Sequence, residues 1–261
     1  MQVISELYLD KFIIFTLVLA RLTGLAVTAP VFGSRDIPPR IRGLMAFALA
    51  LVVAPAQWDT VVEHPDNLIN YATFIGCEIL IGAILGLGIM ILFQGIQVTG
   101  RLIAQVSGMA LADAFDPTFD ASIPVHAQLL TYITLAVFVL VGGLEQLIDA
   151  LLRTYHHMPA GAAAVPANLS ETFTALIANS FELGVRASAP VVTALLLSTL
   201  VMGLIGRTMP QFNILAVGFG MNAMMTLIML AFSLGLIVYL FQDGAVDTIE
   251  LMMEELFPEN S

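Results

Sequence analysis

Apolar and polar positions separate along this chain on the scale of whole helices. Apolar runs fall at about 12–32, 44–57, 71–99, 128–150, 183–206 and 211–241. A helix needs roughly 20 mostly apolar residues to cross a bilayer, so the pattern predicts an all-α protein built of membrane-type helices. The second run is short for a span, and Pro55 closes it. The last run, 211–241, would be about 46 Å long as a single helix. Gly218 and Gly220 are candidate break points within it. Lengths this poorly matched to a bilayer predict helices that pack mainly on protein. Tilt and kinking are the competing explanation.

Composition points the same way. Hydrophobic residues make up 59% of the chain and charged residues 11%, against about half and a quarter in a soluble protein. The chain therefore reads as an integral membrane protein. Its net charge of −11 is uneven. From Gln242 to Ser261 there is no Lys or Arg, while Asp243, Asp247, Glu250, Glu254, Glu255 and Glu259 are acidic. Such a tail does not attract nucleic acid or anionic lipid. Cys77 is the single cysteine, which excludes an intrachain disulfide. The opening MQVISELYLDK carries two acids before its first lysine. That is a poor start for a cleaved signal, so the first helix is expected in the mature protein.

Loop charges predict an orientation. Arg35, Arg40 and Arg42 lie in 33–43, Arg101 in 96–127, and Arg207 in the turn near 206–210. The alternate loops hold only Lys11 and Arg153. The first set should face the cytosol and both termini the other side. The stretch 151–182, with Pro159, Gly161 and Pro166, is the best linker. It divides four helices from a final hairpin.

Several constellations bear on chemistry. RLIAQVSGMALADAFDPTFDASIPVHAQ, at 101–128, is too polar to be a span yet lies between two apolar runs. Irregular backbone at membrane depth is tolerated only beside water or inside protein. An ordinary surface loop is the simpler alternative. Glu78, Gly82 and Gly86 recur every four residues and share a helix face. Small residues at that spacing let helices approach closely, and packing is favoured over a transport role. Arg21, Glu182 and Arg186 are equally costly in lipid unless paired. Glu182 and Arg186, four apart, suit an intrahelical pair. Asp113, Asp116 and Asp120 match no calcium-loop spacing. His64, His126, His156 and His157 have no metal-ligand spacing. No nucleotide, zinc-protease or serine-hydrolase motif is present. Met202, Met209, Met221, Met224, Met225 and Met229 cluster near the last hairpin. Methionine can reseal around variable surfaces, but ordinary core filling is the favoured account.

Four stretches come in a recognisable order: APVFGSRDIPPRIRGLMAFALAL at 29–51, EILIGAILG at 78–86, FDPTFDASIPV at 115–125, and GRTMPQFNILAVGFGMN at 206–222. Together they resemble the FliR family of flagellar export-gate membrane proteins, whose injectisome relatives are called SctT. MPAG at 158–161 is similar to a loop of the flagellar members, with Met158 where leucine is common. The resemblance takes in nearly the whole chain and leaves the role of the acidic tail open.

The resemblance implies helical hairpins: a FliP-like part at 1–182 with a pore-plug loop at about 101–128, a FliQ-like hairpin at 183–241, and an acidic tail at 242–261. It implies a helical ring of FliP and FliQ copies closed by one such chain, with FlhB docked on it. Unfolded flagellar export substrates would pass through its centre, at the basal body in the bacterial inner membrane. Met109, Phe115, Asp116 and Pro117 match the family's plug by position, and Phe119 adds a second aromatic able to fill a lumen. Gly206, Arg207, Pro210, Gln211 and Asn213 match a cytosol-facing hairpin tip. Glu78, Gly82 and Gly86 are the helix-packing and intramembrane-charge positions. No catalytic residue, metal or cofactor is expected, and no nucleic-acid partner. An injectisome gate subunit is the near alternative. An ion-coupled transporter, using Glu78 or Glu182, is the distant one. It would predict inverted repeats, which the four-plus-two division does not display. A purely structural assembly nucleus remains a third reading.

Overall fold

The structure is a computed structural model that describes residues 2–32, 37–58, 60, 67–108, 124–209 and 214–256. It consists of helices α1 (Gln2–Thr28), α2 (Pro39–Val53), α3 (Leu68–Ser107), α4 (Val125–Leu140), α5 (Gly143–His157), α6 (Leu169–Thr208) and α7 (Ile214–Leu256). A 3-10 turn, Ala54–Gln57, follows α2. No strand occurs among the described residues. Five helical segments are long and apolar enough to cross a membrane, and α4 with α5 together would make a sixth. The protein is an all-α integral membrane protein.

Helix boundaries depart from the apolar runs where polar residues still propagate a helix. The long helices α3, α6 and α7 contain 40, 40 and 43 residues, about twice what a bilayer needs. Gly218 and Gly220 do not break α7. The acidic segment from Gln242 to Leu256 continues the same helix. The run 128–150 is interrupted at Gly142, whose φ of 81° is left-handed. Glycine adopts that conformation without strain, so α4 ends and α5 begins there.

The chain forms two compact units. The first comprises Met1–Ile91, Val141–Leu176 and Val246–Ser261. Its core begins on α1, where Ile14, Leu17, Val18, Leu22 and Leu25 are buried, one stripe at helical spacing. On α3, Ile81, Leu85 and Ile89 are buried at the same helical spacing. Pro39 starts α2, where a missing N–H costs nothing. Helix α2 buries Ala46, Ala50 and Val53, and Phe47 meets Phe15 of α1 edge-on, centroids 5.6 Å apart. Lys11 sits 4.6 Å over the Trp58 ring. From α5, Leu147, Ala150 and Leu151 face inward. The end of α7 is held by Met252, buried where a side chain on Gly88 would stand.

The second unit comprises Leu92–Leu140 and Ile177–Ala245. Phe93, Phe138 and Phe241 form an edge-to-face cluster, with Phe93 and Phe241 centroids 4.9 Å apart. Gly95 and Gly184 let α3 and α6 touch through backbone, and the Thr99 hydroxyl donates to the Gly184 carbonyl at 3.1 Å. Gly100 likewise admits Ala127 of α4. Lipid tails are as apolar as Leu, so van der Waals packing and hydrogen bonds carry such contacts in a bilayer.

Candidate functional site

The anticipated residues fall in three places. The plug positions Met109, Phe115, Asp116, Pro117 and Phe119 lie outside the described residues, as do Pro210, Gln211 and Asn213 of the hairpin tip. Gly206 and Arg207 occupy the last turn of α6, with Arg207 exposed. A cation there complements the negative end of the helix. Glu78, Gly82 and Gly86 line the crossing of α3 with α1.

That crossing is built on glycine. A Cβ on Gly82 would stand 1.8 Å from the Arg21 carbonyl oxygen. On Gly86 it would stand 2.0 Å from the Thr28 hydroxyl, and on Gly24 of α1, 2.1 Å from the Ile79 carbonyl oxygen. Two backbones therefore lie where side chains would ordinarily keep them apart. The Thr28 hydroxyl also donates to the Ala83 carbonyl at 3.1 Å.

At this crossing Arg21 and Glu78 meet. Both are 0% exposed. The Arg21 Nε donates to Glu78 Oε2 at 2.6 Å. One terminal nitrogen donates to the Thr154 hydroxyl at 2.9 Å, and the other to the Met158 carbonyl at 3.0 Å. The Tyr155 ring lies under the guanidinium, 4.0 Å from its carbon to the ring centroid. The second carboxylate oxygen of Glu78 accepts the Gly161 N–H at 2.8 Å. A buried ion pair recovers its desolvation cost only when its remaining donors and acceptors are satisfied. Here the turn after α5 and the side chains at its end supply them.

The turn has a local cause. Met158 departs from helical geometry, with φ −133°. Ala162 then donates to the Pro159 carbonyl at 2.9 Å. Gly161, third of these four residues, has φ 91°, the position where this turn type demands glycine. Ala160 is buried.

Sequence reasoning marked Glu78 and Arg21 as costly but did not join them. The available signal was one opposite charge in each of two apolar runs. Thr154, Tyr155 and the Gly161 amide carried none. Glu182 and Arg186 form an exposed pair at 3.4 Å.

In the second unit, α6 and α7 border a groove of about 690 Å³. Met221, Met225 and Met229 line one wall at successive turns of α7, opposite Pro190, Thr193, Leu197 and Val201 of α6. Ser198 donates to the Asn222 side-chain oxygen at 3.0 Å. Of the methionines flagged in the sequence, Met202 is buried and Met224 is exposed.

Residues 12–247 match the family described as "Bacterial export proteins, family 1". Among curated proteins, the chain is 30% identical over 236 residues to the flagellar biosynthetic protein FliR of Caulobacter vibrioides, covering 90% of this chain and 94% of that one. It is 30% identical over 250 residues to FliR of Bacillus subtilis, covering 94% and 95%. To FliR of Escherichia coli it is 28% identical over 224 residues, covering 84% and 83%.

Proposed function

Because the chain belongs to family 1 of the bacterial export proteins, we propose that it is a core subunit of the flagellar type III export gate. The observation that carries this reading is end-to-end similarity to proteins named for flagellar biosynthesis. The fold supports it. Helices of 40 residues or more leave large apolar side chains uncovered, among them Leu196, Leu200 and Leu204 of α6 and Leu227 and Phe232 of α7. In a bilayer lipid covers such side chains, and neighbouring helices of a larger assembly would cover part of them by van der Waals packing.

In this reading the chain sits in the bacterial inner membrane at the flagellar basal body. It assembles with FliP and FliQ, receives FlhB, and passes unfolded flagellar proteins. It does no chemistry. The segment 108–123 plugs the pore at rest, with Phe115 and Phe119 filling the lumen and Pro117 stopping helix propagation. A constriction of Phe and Met blocks ions by excluding water. Glu78 is an unsuitable coupling carboxylate, because its two oxygens are already taken by Arg21 and Gly161. That weighs against the transporter reading.

Affinity purification of the tagged chain from native membranes should recover FliP and FliQ. A chain that comes away alone under mild detergent would overturn the assembly. Removing about residues 110–120 should leave the complex intact and raise membrane conductance. A tight membrane with normal export would overturn the plug.

A further inference from the structure

Pairing two helices needs one contact between Arg21 and Glu78, yet this pair makes four further bonds or ring contacts, and all involve residues 154–161. The guanidinium reaches the Met158 carbonyl and the Thr154 hydroxyl, and rests on the Tyr155 ring. The carboxylate takes the Gly161 amide. We propose that the Arg21–Glu78 pair is a clamp that holds the 158–161 turn in one conformation against α1 and α3, making this part of the first unit a fixed point of the subunit.

The polarity of the contacts is what distinguishes a clamp from a bridge. The turn offers a carbonyl at Met158 and an amide three residues later. The carbonyl needs a donor and meets the guanidinium. The amide needs an acceptor and meets the carboxylate. The Thr154 hydroxyl donates its own proton to the Leu151 carbonyl at 2.6 Å, so towards Arg21 it can only accept. Every group in the cluster therefore has a direction, and exchanging the two charges would reverse three of them. A simple helix bridge has no such direction and would survive the exchange.

Burial makes the clamp stiff. With both side chains fully enclosed, the turn cannot lift without leaving a buried cation and a buried anion each short of a partner, and such a loss is expensive. Ala160, itself buried, would have to leave with it. Movement that accompanies opening of the subunit is therefore expected elsewhere than at the meeting of α1, α3, α5 and this turn. The inference rests on the geometry and stands whether or not the chain forms a gate.

The test is amide hydrogen exchange on the full chain in its native membrane complex, comparing wild type, Glu78→Gln and the exchanged pair Arg21→Glu with Glu78→Arg. In wild type the Gly161 amide should be as protected as the α1 amides around Leu17 to Leu25. Glu78→Gln keeps the size and one acceptor, so Gly161 should exchange several-fold faster while the α1 amides change little. In the exchanged pair Gly161 should exchange at least about tenfold faster, the scale of one lost buried hydrogen bond. Wild-type protection of Gly161 in the exchanged pair would make the contact a helix bridge and overturn the clamp. Equal acceleration of Gly161 and the α1 amides in Glu78→Gln would overturn it as well. If the exchanged pair does not assemble, Glu78→Gln decides alone.

Discussion

Adding one methyl group at Gly82 is the sharpest perturbation this fold offers. A Cβ there would lie 1.8 Å from the Arg21 carbonyl oxygen and 2.9 Å from the Leu25 amide nitrogen, against 3.4 Å or more for ordinary contact. Both neighbours are backbone of α1, so no side chain can swing away. The helix must retreat by about 1.6 Å. Overpacking by a single group costs about 1–3 kcal/mol where neighbours can adjust, and here they can adjust only by moving a helix. The retreat also draws Arg21 from Glu78, now bonded at 2.6 Å, and loss of a buried pair approaches about 3–5 kcal/mol. The two effects overlap, so the expected cost of Gly82→Ala is about 3–4 kcal/mol. Gly76→Ala is the matched control on the same helix, with nothing within 4 Å of its Cβ. It should gain about 0.5–1 kcal/mol, since alanine orders at lower entropic cost than glycine. Apparent melting midpoints of the two purified variants in one detergent should then differ by about 10 °C. Midpoints within about 2 °C of each other would show that α1 and α3 are not held this closely.

Four other outcomes are expected. Tyr155→Phe should match or exceed wild-type stability, by about 1 kcal/mol at most, because the buried Tyr155 hydroxyl has no hydrogen-bond partner among the described residues and the ring contact with Arg21 survives; a clear loss in the melting midpoint would show that the hydroxyl is engaged. Met252→Ala should cost about 2 kcal/mol in the same assay, by emptying the space over Gly88. Arg186→Gln should change stability by about 0.5 kcal/mol or less, since its pair with Glu182 is well exposed at both ends. In a chain with Cys77 replaced by Ala, a membrane-impermeant maleimide should label Thr174→Cys and Asp247→Cys but not Leu197→Cys in membranes stripped of partner subunits; labelling of all three would place the apolar part of α6 outside the bilayer.

Hydropathy alone made the class and the approximate number of helices legible, because a bilayer imposes one strong length scale. It placed helix ends poorly for the same reason. Residues such as Gln242, Asp243 and Asp247 end an apolar run without ending a helix, since a helix satisfies its own backbone whatever faces it. The i, i+4 spacing of Glu78, Gly82 and Gly86 pointed to a single face, and the face of α3 towards α1 is where they lie. Which helix would meet that face was not written in the spacing. Arg21 lies 57 positions away, and nothing local ties the two. Tyr155 and Thr154 were less legible still, as residues of an amphipathic helix look alike until the partner is known. The Gly161 amide belongs to the backbone, and no side-chain pattern announces it. In the sequence Gly161 is one small residue of a linker, yet glycine is required there because its φ is positive in the turn that aims the amide at Glu78.

Helix length becomes intelligible once apolar and polar parts are counted separately. In α6, residues 187–206 carry no charge, and 20 residues at 1.5 Å each make about 30 Å, one hydrocarbon thickness. The 18 residues before them include Glu171, Glu182 and Arg186. In α7, residues 217–241 carry no charge either, and the acids begin at Asp243. Each helix thus has a bilayer-length apolar part, and apart from Arg207 the charged residues lie at the helix ends remote from the α6–α7 junction. A helix whose charged half had to stay in lipid would be driven to shorten or bend, yet neither Pro190 nor the glycines of α7 interrupt these helices. Water, or protein surrounded by water, must then receive their charged ends. On the proposed reading of an export-gate subunit, helices that continue beyond the lipid would extend the protein wall without any change of fold. The acidic segment from Asp243 to Glu255 is part of such a helix, with Met252 packed on Gly88 near its end.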